Sequence, residues 1–238
     1  MRSLVMIPAY NEECNILNTI ADIRRHAPEM DYIVINDCST DHTEEILKEN
    51  GIPYLNHPVN LGIGGGVQSG YRYAKDNGYD IAIQFDGDGQ HEAQYLHTLI
   101  APIETDAADF AIGSRFLENE GFQSSFLRRF GINFLSGMIH LLCGIRVNDV
   151  TSGMRAVNRS LIEAFAQDYA QDYPEPEAIL AAGLKGARIL EIPVQMRERQ
   201  GGTSSINALR SVYYMIKVTL ALFFSAMSAP RDRRKLHE

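Results

Sequence analysis

Ile81-Ala82-Ile83-Gln84-Phe85 runs straight into Asp86-Gly87-Asp88-Gly89-Gln90-His91, so an apolar stretch of strand length ends in two carboxylates one residue apart. A short apolar run closed by Gly and Asp reads as a buried strand leaving its sheet. Open α/β sheets bind ligands at this carboxyl end of their strands. In a turn, Asp86 and Asp88 can face one hard cation, and oxygen ligands of this kind suit Mg²⁺ or Mn²⁺ bridging a diphosphate. Asp and Gly are also ordinary turn residues, so the neighbours of the D-x-D have to decide.

Working outward, the first 113 residues alternate strand and helix. Leu4–Ile7, Tyr32–Ile35, Ile81–Phe85 and Phe110–Ile112 read as buried strands, with Tyr54-Leu55 a weaker one. Helical stretches lie between them at Glu13–His26, Thr43–Asn50, Gly65–Asn77 and Ala93–Ile103. Asp41, followed three residues later by Glu44, forms a capping-box variant. Alternation of this kind predicts a mostly parallel sheet with helices on both faces. After Ser114 the pattern changes: a basic and apolar helix over Ser125–Leu142, a strand in Val150–Val157, a helix over Ala178–Lys185 and a strand over Arg188–Val194. A Gly-containing loop, Arg197–Ser205, leads to an apolar helix, Leu209–Ala229, stopped by Pro230 and followed by Arg231, Arg233, Arg234 and Lys235.

The 238 residues suffice for one large domain with a substantial core, and 45% hydrophobic with 22% charged residues is ordinary for a folded protein. Cys14, Cys38 and Cys143 have no C-x-x-C spacing. They suggest neither zinc nor disulfides, and are expected to be buried small hydrophobes in a reducing compartment. The apolar run at the start is too short for a signal peptide, so a cytoplasmic location is expected. The net charge of −8 is uneven: residues 1–113 hold 6 Lys/Arg against 18 Asp/Glu, and residues 114–238 hold 16 against 12. An acidic half for metal and nucleotide beside a basic half for anions is one reading; plain surface unevenness is the other. With no basic stripe interleaved with aromatics, nucleic acid is not an expected partner.

Two further strand ends carry candidate residues. In Pro8-Ala9-Tyr10-Asn11-Glu12, Tyr10 could stack on a base and Glu12 accept from a ribose, or Asn11 could simply cap a helix. In Asn36-Asp37-Cys38-Ser39-Thr40-Asp41, Asp37 could meet base or ribose while Asp41 caps the next helix. Asn60-Leu61-Gly62-Ile63-Gly64-Gly65-Gly66-Val67-Gln68-Ser69-Gly70 fails the dinucleotide spacing, because no Gly or Ala stands three positions after either G-x-G pair. Its glycines permit close backbone approach to a ligand or close helix packing. The seven histidines show no metal spacing, and only His91 adjoins the D-x-D.

These segments, PAYNE, NDCSTD, NLGIGGGVQSG, DGDGQH and Gly113-Ser114-Arg115-Phe116, resemble in their order the family 2 glycosyltransferases of the GT-A fold, over residues 3 to about 207. Arg128, Asn133, Asp149-x-x-Ser152-Gly153 and Arg199-x-x-Gly202 resemble the dolichyl-phosphate mannosyltransferase-like branch, which acts on polyprenyl phosphates. Asn36 departs from the second Asp frequent in the family, and the long multi-helix membrane region of several relatives has no counterpart here.

The resemblance implies an inverting transfer of a sugar from a nucleoside diphosphate sugar, UDP-linked by preference and GDP-mannose as the other option, to a polyprenyl phosphate for cell-envelope glycans. It implies nucleotide-sugar contacts at Pro8, Tyr10, Glu12, Asp37, Gly62, Asp86, Gly87 and Asp88, with Mg²⁺ or Mn²⁺ on Asp86, Asp88 and Gln90. Acceptor-phosphate contacts fall to Arg115, Arg128, Asn133, Ser152 and Arg199, and Asp149 stands near the anomeric carbon as base or orienter, unless it only caps Thr151-Ser152. Glu175-Pro176-Glu177 could line the acceptor side, although an acidic first helical turn accounts for it as well.

The expected organisation is a GT-A domain over 1–207, with a nucleotide-sugar half (1–113) and an acceptor half (114–207), then an apolar helix and basic tail over 208–238. Val218–Ala229 is too short to span a bilayer and fits an interfacial helix on a cytoplasmic membrane face, where anionic headgroups meet the basic tail. Packing on the domain, a dimer contact or a small membrane protein partner would also use it. Transfer to a sugar hydroxyl of a growing glycan is the rival enzyme reading and would need a true general base. An inactive membrane-recruiting scaffold and a nucleotidyltransferase are the others.

Overall fold

The computed structural model of the chain describes residues 1–117, 126–197 and 208–228, with side chains described from 129 and 215 onward in the last two segments. Among these residues seven strands form one sheet: β1 (Ser3–Ala9), β2 (Asp31–Asn36), β3 (Tyr54–Asn56), β4 (Ile81–Gln84), β5 (Phe110–Ser114), β6 (Arg155–Asn158) and β7 (Ile189–Pro193). Their order is β3-β2-β1-β4-β6-β5-β7. All neighbours run parallel except β6, which is antiparallel to both β4 and β5. The mostly parallel α/β sheet expected from the alternation is therefore the one observed, and the strands of residues 114–238 extend it.

Successive residues of β1 point to opposite faces, as a pleated strand requires. Leu4 and Met6 join the core that also holds Phe110, Ile112, Val157 and Phe165. Val5 and Ile7 join the one beneath α1 (Ile16–His26), α2 (Thr43–Glu49) and α4 (Leu96–Glu104). The first face is covered by α3 (Gly62–Asp76), α5 (Phe126–Cys143), α6 (Arg159–Gln167), α7 (Pro174–Leu184) and α8 (Ala208–Ser228).

Several boundaries move for local reasons. Helix α1 starts at Ile16 because the Glu12 carbonyl takes the Asn15 and Ile16 amides in a preceding turn. Asn11 does not cap it: its Oδ1 accepts from the Thr40 amide, 2.8 Å away. Helix α3 starts at Gly62, where φ is +76°, earlier than its apolar periodicity suggests. A Cβ on Gly64 would meet the Ala170 carbonyl at 2.2 Å, so this glycine buys contact between α3 and the chain at 170–171. Helix α7 starts at Pro174, a residue pre-set for a first helical turn. Helix α6 was not expected; Asn158 caps it by accepting from the Leu161 amide at 3.1 Å. Of the cysteines expected to be buried, Cys14 is exposed and Cys38 and Cys143 are half-buried.

Candidate active site

The carboxyl ends of β1, β2 and β4 and the start of α3 surround a cavity of about 420 Å³. Pro8, Tyr10, Glu12, Asp37, Gly62, Asp86, Gly87 and Asp88, all expected to meet the nucleotide-sugar, line it together with Asn60, Ile63 and Gly66. Tyr10 stands 47% exposed at this edge, whereas Glu12 and Asp37 are buried.

Each acidic residue is held by its surroundings. The Glu12 carboxylate accepts from Asn15 Nδ2 at 2.8 Å, and its amide donates to Thr43 Oγ1 at 2.9 Å. Asp41 accepts from the amide and hydroxyl of Thr43 and from the Glu13 amide, so it ties the start of α2 to the loop after β1. The turn after β4 is fixed from α1, where the Thr19 hydroxyl donates to the Gly87 carbonyl at 3.2 Å. Asp88 accepts from the Gln90 amide at 3.1 Å, closing the turn.

Asp86 accepts from Gln84 Nε2 at 3.3 Å and lies 3.2 Å from His91 Nε2. Burial pushes its carboxyl up, but hydrogen bonding and charge at His91, with Gln84 and Arg155, outweigh burial and hold it below the usual range. His91 is buried on Phe85, with ring centroids 5.4 Å apart, and so supports Asp86 from behind. Gln90 reaches the Arg197 carbonyl through Nε2 at 3.5 Å. No cluster of three or more His, Cys, Asp or Glu capable of holding a metal occurs among the described residues. Two carboxylates on a turn beside a cavity still form an oxygen donor set that fits Mg²⁺ or Mn²⁺ when a diphosphate completes the shell.

The second half of the chain builds an adjoining ion-paired corner. Arg115, directly after β5, presents Nε and Nη2 to the two oxygens of Asp149, both at 2.7 Å. Its amide also donates to Asp149, at 3.2 Å, and Nη2 reaches Thr151 Oγ1 at 3.0 Å. Asp149 has no solvent exposure, and its own amide donates to Glu191 of β7 at 2.9 Å. Fork-shaped pairing of this sort orients a guanidinium.

Phe116 carries two guanidinium groups over its ring, those of Arg115 at 5.3 Å and Arg129 at 3.8 Å. Arg129 is thus the described basic side chain that α5 brings beside Arg115; the Arg128 side chain and the whole of Arg199 lie outside the described residues. Asn133 is on an exposed face of α5. Ser152, expected to touch the acceptor phosphate, is instead 1% exposed, and its hydroxyl accepts from the Met154 amide. The tight turn after Asp149 leaves that hydroxyl no path outward.

Sequence reading also missed Arg155, which is fully buried in β6. Its guanidinium donates to the carbonyls of Ser152, Glu175 and Val150, joining this turn to α7. Burial pushes the Glu175 and Glu177 carboxyls up. In sequence, Arg155 looks like any charged residue flanking an apolar pair, so no signal marked it.

The chain matches the family model described as Glycosyl transferase family 2 over residues 4–165. It is 31% identical to a UDP-N-acetylglucosamine–dolichyl-phosphate N-acetylglucosaminyltransferase of Methanococcus voltae over 80% of this chain and 84% of that protein. It is 27% identical to an undecaprenyl-phosphate mannosyltransferase of Micrococcus luteus over 87% of this chain and 88% of the relative. Its fold resembles that of glucosyl-3-phosphoglycerate synthase from Mycobacterium tuberculosis, solved with Mn²⁺, uridine diphosphate and glucosyl-3-phosphoglycerate. That likeness has a TM-score of 0.70 at 19% identity and covers 97% of this chain and 81% of the other. With the family model spanning most of the sheet and the cavity formed at its strand ends, this chain belongs to the family 2 glycosyltransferases.

Proposed function

We propose that this glycosyltransferase moves a sugar, with inversion, from a nucleoside diphosphate sugar to a polyprenyl phosphate, at a cytoplasmic membrane face and for cell-envelope glycans. The observation that carries the reading is the adjacency of two opposite chemistries. The acidic turn Asp86-Gly87-Asp88 lines the donor cavity, and Asp86 packs against Gly153, four residues beyond the carboxylate that holds Arg115. Residues 1–113 then serve the donor and residues 114–207 the acceptor.

In this reading Tyr10, Glu12 and Asp37 hold the nucleoside, while Asp86 and Asp88, with Gln90 beside them, hold a divalent metal. Mg²⁺ or Mn²⁺ bound there supplies positive charge to the departing diphosphate. Arg115 and Arg129 hold the acceptor phosphate, with Arg128, Asn133 and Arg199 as further contacts. A phosphate oxygen is anionic at neutral pH and attacks without a proton being removed first. Asp149, with both oxygens on Arg115, serves as an orienter of that guanidinium. Uridine diphosphate sugars are the preferred donors, and the M. voltae relative is named for such a donor and a dolichyl-phosphate acceptor.

A lipid acceptor agrees with the outer surface of α8. Val218 and Leu222 are fully buried and anchor the helix on the domain, each contributing about 1.5–3 kcal/mol. Ile216, Leu220, Phe223, Phe224 and Met227 are exposed along its other side, and Phe130, Phe134 and Leu141 of the neighbouring α5 are exposed too. No helix among the described residues is long and apolar enough to cross a membrane. An amphipathic surface lying in the interface needs no such span. A second copy or a small membrane protein could share it.

Incubating the chain with labelled UDP- or GDP-sugars, Mn²⁺, and either undecaprenyl phosphate or an oligosaccharide tests the proposal. Label should pass to the lipid phosphate. In Asp88→Ala, turnover should fall on the order of 10²-fold or more, the usual consequence of losing a stabiliser of transition-state charge. Transfer to the oligosaccharide alone would overturn the acceptor assignment.

A further inference from the structure

Asp37 directly follows β2 and lines the donor cavity with its carboxylate held from three directions. The Leu61 amide and His57 Nδ1 both reach Oδ1, each at 2.8 Å, and the Gly62 amide reaches Oδ2, also at 2.8 Å. An ionised carboxylate offers about four acceptor positions. Among the described residues three are filled, which leaves one, on Oδ2, for a ligand. Nδ1 of His57 must carry its proton here, because a carboxylate only accepts.

The ring is not free to turn away. Its Nε2 lies 2.9 Å from Ser69 Oγ on α3, and the same oxygen lies 3.0 Å from the Gly65 carbonyl, so the single hydroxyl proton faces two acceptors. The side chains of His57 and Asp37 are only 11% and 8% exposed. The strand end, the ring and the helix form one braced unit.

We propose that His57 is a positioning residue that sets the base specificity of the donor site. By filling the second acceptor position of Asp37 Oδ1, it limits Asp37 to a single hydrogen bond toward the cavity. One acceptor suits a base edge with a lone N–H between carbonyls, as in a uridine nucleotide. The guanine edge presents N1–H and N2–H₂ side by side and needs both carboxylate oxygens; with one blocked, a donor is stranded on binding, which a buried site rejects. The inference rests on the nucleoside diphosphate sugar reading above and adds the group that selects among bases.

Calorimetric titration of the full chain with UDP and with GDP, each with Mn²⁺, tests it in the wild type and in His57→Ala, His57→Gln and Ser69→Ala. The wild type should prefer UDP. In His57→Ala the UDP-to-GDP affinity ratio should fall about tenfold, through a gain for GDP, because a hydrogen bond to a charged group is exchanged. Ser69→Ala, which frees the ring, should shift the ratio the same way by less. His57→Gln, whose amide N–H can still reach Asp37, should restore it. Parallel weakening of both nucleotides in His57→Ala, or a wild type without preference for UDP, would overturn the role of His57 while leaving the transferase reading in place. A wild type that binds neither nucleotide overturns both.

Discussion

Asp86 and Gly153 touch so closely that a Cβ on Gly153 would come within 2.2 Å of Asp86 Oδ2. The acidic turn after β4 and the turn before β6 therefore share one small space, and only a residue without a side chain can complete it. Gly153→Ala should push Asp86 off its bonds to Gln84 and His91 and, in the proposed transfer, cut donor turnover by tenfold or more, on the order expected for a displaced charge-stabilising group. Steady-state kinetics at saturating Mn²⁺ measures this, and turnover within a factor of two of the parent would contradict it.

Arg115→Met removes the only guanidinium fork on Asp149 that the structure describes and leaves that carboxylate buried. Breaking one side of a buried pair costs about 3–5 kcal/mol, and Arg115→Lys should recover only part, since lysine lacks the fork. Adding Asp149→Asn to Arg115→Met should return some of the loss. Urea denaturation of the four chains reads the ranking.

Glu177 gives a pH signature. Burial raises its carboxyl, partly offset by the Ser225 hydroxyl donating to Oε2 at 3.4 Å across α7 and α8. A group raised on folding binds its proton more tightly in the native state, so its contribution to stability is present in acid and lost as pH rises through the folded value. At neutral pH the charge is carried at a cost. Glu177→Gln should therefore melt higher than the parent at pH 7–8, with the gap closing below about pH 4. Thermal melts across that range decide it; a constant gap would exclude the titration.

The exposed side of α8 should bind lipid. Leu220→Glu with Phe224→Glu changes two outward residues and leaves the buried anchors Val218 and Leu222 in place. Co-sedimentation with anionic vesicles should drop sharply while UDP binding persists. Because Arg231, Arg233, Arg234 and Lys235 add a screened electrostatic attraction, the parent should also bind less at high salt. Equal sedimentation of parent and variant would assign this surface to protein packing.

The sheet could be read from the sequence because its strands are apolar runs closed by Pro, Asn or Asp, and three residues at such closures, Pro8, Asp37 and Asp86, line the cavity. Tyr10, Asp37 and Asp86 come together because parallel strands put their carboxyl ends on one edge. Contacts made across the fold could not be read in this way. His57 is 20 residues from Asp37, and Glu191 holds the Asp149 amide from 42 residues away. Helix α6, nine residues from Arg159 to Gln167, follows β6 with no loop between them: Asn158 both ends the strand and caps the helix, so the polar trio Asn158-Arg159-Ser160 that would otherwise mark a loop is taken up by the cap and first turn. Arg155 was invisible for a different reason: its partners are backbone carbonyls, which carry no residue identity.

The reversed direction of β6 works as a ruler. Gln84 pairs with Arg155, so the start of β6 lies at the exit of β4, and the segment leading into it must pass Asp86. Each residue of slip along a strand moves the chain about 3.3 Å, and a slip that keeps the same faces inward requires two. The smallest allowed error in this one pairing would thus separate the turn holding Asp149 from the acidic turn by roughly 6–7 Å, more than the length of a sugar–phosphate bond vector several times over. In the proposed transfer, the alignment of donor and acceptor is consequently inherited from strand register, and variants that loosen β4–β6 pairing should lose transfer before they lose nucleotide.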